Sequence, residues 1–204
     1  MKWSGFFPEI LTVAIGCPDP LAEAKVRQAA IEFFQRTRSW VEWLEPAVSI
    51  EGIAEYDLDL PAQSDVARVE RATVDGIPIE ITSYRDAPYD WTRLELASQG
   101  LISRDLKTFV LGRSVAAGLS IQVQVALTPS RTSTGLPDDL YEKYVDDIVH
   151  GARYRVLMTP NTPFFKPEIA GAEKAMFEAA IASNAVDAWR GQTANTPRAR
   201  VKFC

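Results

Sequence analysis

The sequence predicts an α+β fold: a helical bundle of three long helices, a small sandwich- or barrel-like β subdomain inserted between the first and second, and an extended C-terminal arm. Three observations predict it. Apolar residues recur every three or four positions over 19–44 and again from 137 to 190, which is the helical period. Between Val48 and Thr128 the period changes to two, which is the period of half-buried strands. The last stretch, GQTANTPRARVKFC, has neither pattern and carries three basic residues and no acid. The expected organisation is an N-terminal segment over 1–18, helices over 19–46 and 137–190, the β insertion over 47–136 and the arm over 191–204.

The first long helix is expected over DPLAEAKVRQAAIEFFQRTRSWVEWL, with Val26, Ala30, Phe33, Phe34, Thr37, Trp40, Val41 and Leu44 on one face. Asp19 is placed to cap it, Pro20 suits its first turn and Pro46 stops it. The runs VSIEGIAEYDLDL, ARVERATVDGIPIEI, KTFVLGR and LSIQVQVAL supply about six short strands, with Asp75-Gly76 as a two-residue hairpin turn. SYRDAPYDWTRLELASQG reads as a loop with one short helix. In LPDDLYEKYVDDIVHGARYRVLM, Pro137 and two aspartates stand at the positive end of a second long helix. The prolines of TPNTPFF break the chain, and KPEIAGAEKAMFEAAIASNAVDAWR forms a last, alanine-rich helix ending before Gly191.

Composition narrows the function. The 204 residues carry 22 Lys and Arg against 27 Asp and Glu, a net charge of −5 and a pI near 5.0. Without the three basic residues of the tail the body stands at 19 against 27, or −8, so a nucleic-acid grip through phosphate neutralisation is not expected. The two cysteines, Cys17 and Cys204, make no disulfide framework and no metal spacing. No apolar run suits a signal peptide or a membrane span, so the expectation is a soluble protein made in a cytoplasm, without membrane contact.

Few residues suggest chemistry. His150, the single histidine, lies one turn after Asp146, and a general base oriented by that carboxylate is one reading. A surface or interface histidine is the plainer one. Asp138, Asp139, Asp146 and Asp147 could offer oxygen ligands to a divalent cation, but the first pair is better explained by the helix N-terminus and the second by a solvated face. No phosphate-loop, dinucleotide, zinc-protease or nucleophile-elbow string occurs, so neither enzyme activity, cofactor nor metal is expected. Trp40, Trp43, Tyr141, Tyr144 and Trp189 are candidates for a subunit interface, or core at helical spacing. Trp3, Phe6 and Phe7 fall outside any strong period and could anchor a partner.

The order of these pieces resembles the head-tail adaptor, or connector, proteins of tailed bacteriophages. The resemblance rests on DPLAEAKVRQAAIEFFQRT, then AEYDLDLP, then ALTPSR and LPDDLYEKYVDDIVHGA, a proline-rich break and an alanine-rich last helix, and covers roughly residues 10 to 204. It implies a dodecameric homo-oligomeric ring in the neck of the virion, assembled in the bacterial host. The ring would sit beneath the portal protein, above a downstream tail or nozzle protein, and DNA would pass through it without sequence-specific binding. It also implies that residues 191–204 reach the portal, with Arg198, Arg200 and Lys202 steering and Val201 and Phe203 anchoring. The alternation of RARVKF also suits addition as a strand to a neighbour's sheet edge. Another neck or tail ring, a stopper or tail terminator, and a small hydrolase using His150 are the alternatives.

Overall fold

A computed structural model describes residues 1–82, 100–111 and 116–190. The expected arm and its five contact residues, the stretch 83–99 and residues 112–115 lie outside the described residues. The chain is mixed α and β and divides into two compact units, one holding residues 1–39 and 137–190, the other residues 40–136.

In the helical unit, a 3-10 turn (Trp3–Phe6) leads into the short α1 (Phe7–Leu11), followed by α2 (Asp19–Thr37), α3 (Asp138–Leu157) and α4 (Pro167–Arg190). The three long helices touch one another pairwise. Their shared core is aromatic: Phe33 and Phe34 of α2 stand 5.2 and 5.6 Å from the ring of Tyr144, and Phe33 stands 6.4 Å from Phe177 of α4. Helices α3 and α4 meet closely at Gly151, where an added Cβ would lie 2.5 Å from Phe177 Cε2. Only a residue without a side chain admits the ring there.

Three expectations for this unit need correction. The first long helix stops at Thr37, because Arg38 adopts the left-handed conformation (φ 53°) and its N–H returns to Phe34 O at 2.9 Å. Such a turn terminates a helix whatever the apolar spacing beyond it. Asp19 is not the cap: Pro18 holds that position, and Asp19 lies in the first turn, where its charge favours the positive helix end. The N-terminal aromatics are not partner anchors either. Trp3 and Phe6 are fully buried, and Phe6 meets Tyr141 edge to face at 4.9 Å.

Among the described residues the second unit forms an eight-stranded sheet that curls into a half-barrel. Its strands are β1 (Val41–Trp43), β2 (Ala47–Val48), β3 (Glu55–Asp57), β4 (Ser64–Val74), β5 (Ile77–Ile81), β6 (Gly100–Ile102), β7 (Thr108–Leu111) and β8 (Ser120–Pro129). They run in the order β1-β8-β4-β5-β6-β7-β3, with β2 also on β8. Strand β8 is buried at alternate positions and then continuously toward its end, as expected of a strand at the sheet centre. Asp75 and Gly76 close the β4–β5 hairpin with φ values of 48° and 77°, the pair of positive angles such a two-residue turn requires. The β insertion was expected to have about six strands in a small sandwich or barrel; the described residues form one connected sheet instead, and its path does not return to close.

Candidate interaction surfaces

The residues that suggest chemistry lie in the helical unit, where His150 and Asp147 are engaged by side chains of α4. His150 Nδ1 stands 2.6 Å from Glu173 Oε2 of α4, not paired with Asp146 one turn before it. Arg153 donates to the other oxygen of Glu173 at 3.4 Å and to the carbonyl of Glu9 at 2.8 and 3.0 Å. Glu173 is buried, so its carboxylate joins α3 to α4 while Arg153 also joins α1. Asp147 accepts from Asn184 Nδ2 at 2.8 Å, and burial raises the pKa of its carboxyl despite that bond.

A second network ties all three long helices. Arg36 forks onto Glu178 at 2.6 and 2.9 Å and also reaches Glu32 at 2.9 Å. Arg155 meets the other oxygen of Glu32 and lies 4.4 Å over the Tyr154 ring and 5.3 Å over Phe177. The bonds from Arg36 hold the carboxyl of Glu178 below the usual range. Both networks have the form of helix-to-helix fasteners. Among the described residues, no group of three or more His, Cys, Asp and Glu side chains is arranged to hold a metal ion.

Exposed apolar groups make the second kind of feature. The buried side of α4 is carried by Ala170, Glu173, Phe177 and Ile181. Another side exposes Ile169, Ala172, Met176, Ala179 and Val186, with Trp189 76 % exposed near the helix end. Spacings of three, four and, across Ser183, seven keep these residues on one stripe, the pattern that covers a second helix. Alanine at alternate rungs would let another backbone come close.

The third feature is the edge of the sheet. Trp40 O accepts from Leu127 N at 2.7 Å and Leu44 N donates to Val123 O at 2.9 Å, so these residues turn their backbone toward β8. By the alternation of an antiparallel ladder, Val41 and Trp43 turn theirs away, to the side where the strand order ends. Three residues of this strand, Leu44 to Pro46, oppose two of β8 between the Trp43–Gln124 and Ala47–Ile121 pairs, a bulge that lets β2 continue along the same partner. Ser49 extends the run, its N–H donating to Leu119 O at 2.9 Å. Val41, Trp43 and Val48 are all exposed along this edge.

The five interface candidates therefore separate. Tyr144 is 2 % exposed and Trp40 6 %, so both are core residues, Trp40 immediately before β1 rather than on a helix. Tyr141 is half-buried, its hydroxyl donating to Gly5 O at 3.2 Å. Trp43 and Trp189 remain exposed, one on the sheet edge and one on α4. The edge itself went unseen in the sequence, because Trp40, Val41 and Leu44 continue the helical spacing; the signal that finds it is the alternation of buried Trp40 and Leu44 with exposed Val41 and Trp43.

No protein-family model matches this chain, and no curated protein sequence matches it.

Proposed function

We propose that this chain is a structural subunit of a head-tail adaptor ring of a tailed bacteriophage, joining the capsid portal to the tail and leaving a channel for DNA. The observation that carries the reading is the exposed apolar stripe of α4, from Ile169 through Met176 and Val186 to Trp189. A helix that is apolar on two sides calls for a second apolar surface, and in a homo-oligomer each copy can supply one to the next. In this reading the three long helices act as a bundle that builds the ring wall, and the inserted β unit serves the contact to the following tail component. The net charge of −5 suits a channel through which DNA slides rather than sticks.

The test is negative-stain imaging and sedimentation of the purified protein, alone and mixed with portal rings. Ring density on the portal, lost in Met176→Lys with folding unchanged, is the expected result. A chain that stays monomeric under both conditions overturns the reading.

A further inference from the structure

The two ends of the sheet are built differently. At the β3 end the exposed side chains are Glu55 and Asp57, charges of the kind that keep an edge from pairing. At the β1 end they are Val41 and Trp43, followed by Val48, and the backbone groups beside them face away from β8. Among the described residues one edge is guarded and the other is apolar and unpaired. The open edge is also acidic: residues 39–54, which carry β1 and β2, hold Glu42, Glu45 and Glu51 and neither Lys nor Arg.

The same sequence holds the complementary segment. Residues 198–203, RARVKF, alternate Arg198, Arg200 and Lys202 with Ala199, Val201 and Phe203, and the stretch 191–204 has no acid. We propose that residues 198–203 of a second copy of this chain add as a strand to the edge formed by Val41–Trp43 and Ala47–Val48. The segment fits within the edge: six extended residues span about 20 Å, and the nine positions from 41 to 49 about 30 Å. The faces agree. With Val201 and Phe203 beside Val41 and Trp43, the basic residues fall on the opposite face, where Glu42 stands with one carboxylate oxygen on Trp40 Nε1 at 2.7 Å. Main-chain bonds supply affinity and the alternating side chains supply selection.

The choice of a second copy over the chain's own tail rests on the ring reading, since donor segment and acceptor edge on one chain make a head-to-tail contact that closes a ring. Sequence resemblance sends this segment to a portal instead; charge and alternation favour the β1 edge.

Full-length chain with the photocrosslinking residue benzoylphenylalanine in place of Trp43 is prepared in light and heavy isotopic forms, mixed, irradiated and cut before aspartate. Light-to-heavy crosslinks to the peptide 187–204 are expected, and the triple variant Arg198→Glu, Arg200→Glu, Lys202→Glu should lower their yield at least tenfold. Crosslinks joining only peptides of one isotopic form assign the tail to its own edge and overturn the second copy. Crosslinks to any other peptide, or none to 187–204, overturn the segment. Urea unfolding of both proteins guards against misfolding, because position 43 is exposed and the unfolding midpoint should not move. Portal-bound rings without these crosslinks would leave the adaptor reading standing and remove this one; crosslinks without portal binding would do the reverse.

Discussion

The helical unit and the sheet unit treat their polar and apolar groups in opposite ways. In the first, the groups that look reactive are consumed: His150, Glu173 and Arg153 bind one another across α3 and α4, and Arg36, Glu32, Glu178 and Arg155 fasten three helices. In the second, among the described residues, a strand edge is left with Val41, Trp43 and Val48 exposed and backbone groups facing outward. Internal ion pairs cost desolvation and are kept where they fix one arrangement of helices. An open apolar edge invites association, and a chain keeps one where something is meant to cover it. The contrast separates residues that hold the fold from residues available to a partner.

The largest stability effect should come from the helical core. Phe177→Ala removes a fully buried ring that contacts Phe33, Tyr154 and the backbone at Gly151, and is expected to cost about 3 to 5 kcal/mol in urea unfolding. Glu173→Ala comes next, at about 2 kcal/mol, since it leaves Arg153 and His150 without their shared carboxylate in a part-buried setting. A loss below about 0.5 kcal/mol would show that this carboxylate is not a fastener, and would reopen a functional role for His150.

Trp43→Lys reverses the pattern. The indole is exposed, so unfolding should change by no more than about 0.5 kcal/mol while self-association weakens sharply in sedimentation. A large stability loss with association intact would place Trp43 among the residues that hold the fold. On the helix surface, Arg36→Gln should cost less than about 1 kcal/mol despite its forked bond to Glu178, because both side chains are well exposed and screened.

Asp147 gives the smallest effect, and its sign is set by burial. Its pKa is raised in the folded protein, so the folded state holds the proton more strongly than the unfolded state. The stability this contributes is complete below the unfolded value and is lost as pH rises through the raised one. Unfolding midpoints of Asp147→Asn and the parent should therefore shift in favour of the variant between pH 3 and pH 7. Glu178, whose pKa is lowered by Arg36, contributes in the opposite direction, its share being lost as the solution is acidified.

Much of the secondary structure was legible because periodicity is local. Asp75-Gly76 identified a hairpin turn, and the helical spacing of apolar residues from 137 onward identified α3 (Asp138–Leu157). What was not legible depends on backbone conformation or on partners distant in sequence. Arg38 gives no compositional sign that it will take a left-handed angle, so Trp40 to Leu44 continued a helix on paper, whereas Val41–Trp43 form an edge strand in the fold. His150 and Glu173 are 23 positions apart, and their contact exists only once α3 packs on α4. The N-terminal aromatics lacked a period because a 3-10 turn and five helical residues are too short to display one.

The central claim, that the Val41–Val48 edge is covered in the assembled protein by residues 198–203, is tested most directly by amide hydrogen exchange at Val41, Trp43 and Val48 over a dilution series. Their exchange is predicted to be slow in concentrated protein. It should become fast on dilution, and be fast throughout in the chain with Arg198, Arg200 and Lys202 changed to glutamate. Protection that ignores both dilution and those charges would contradict it.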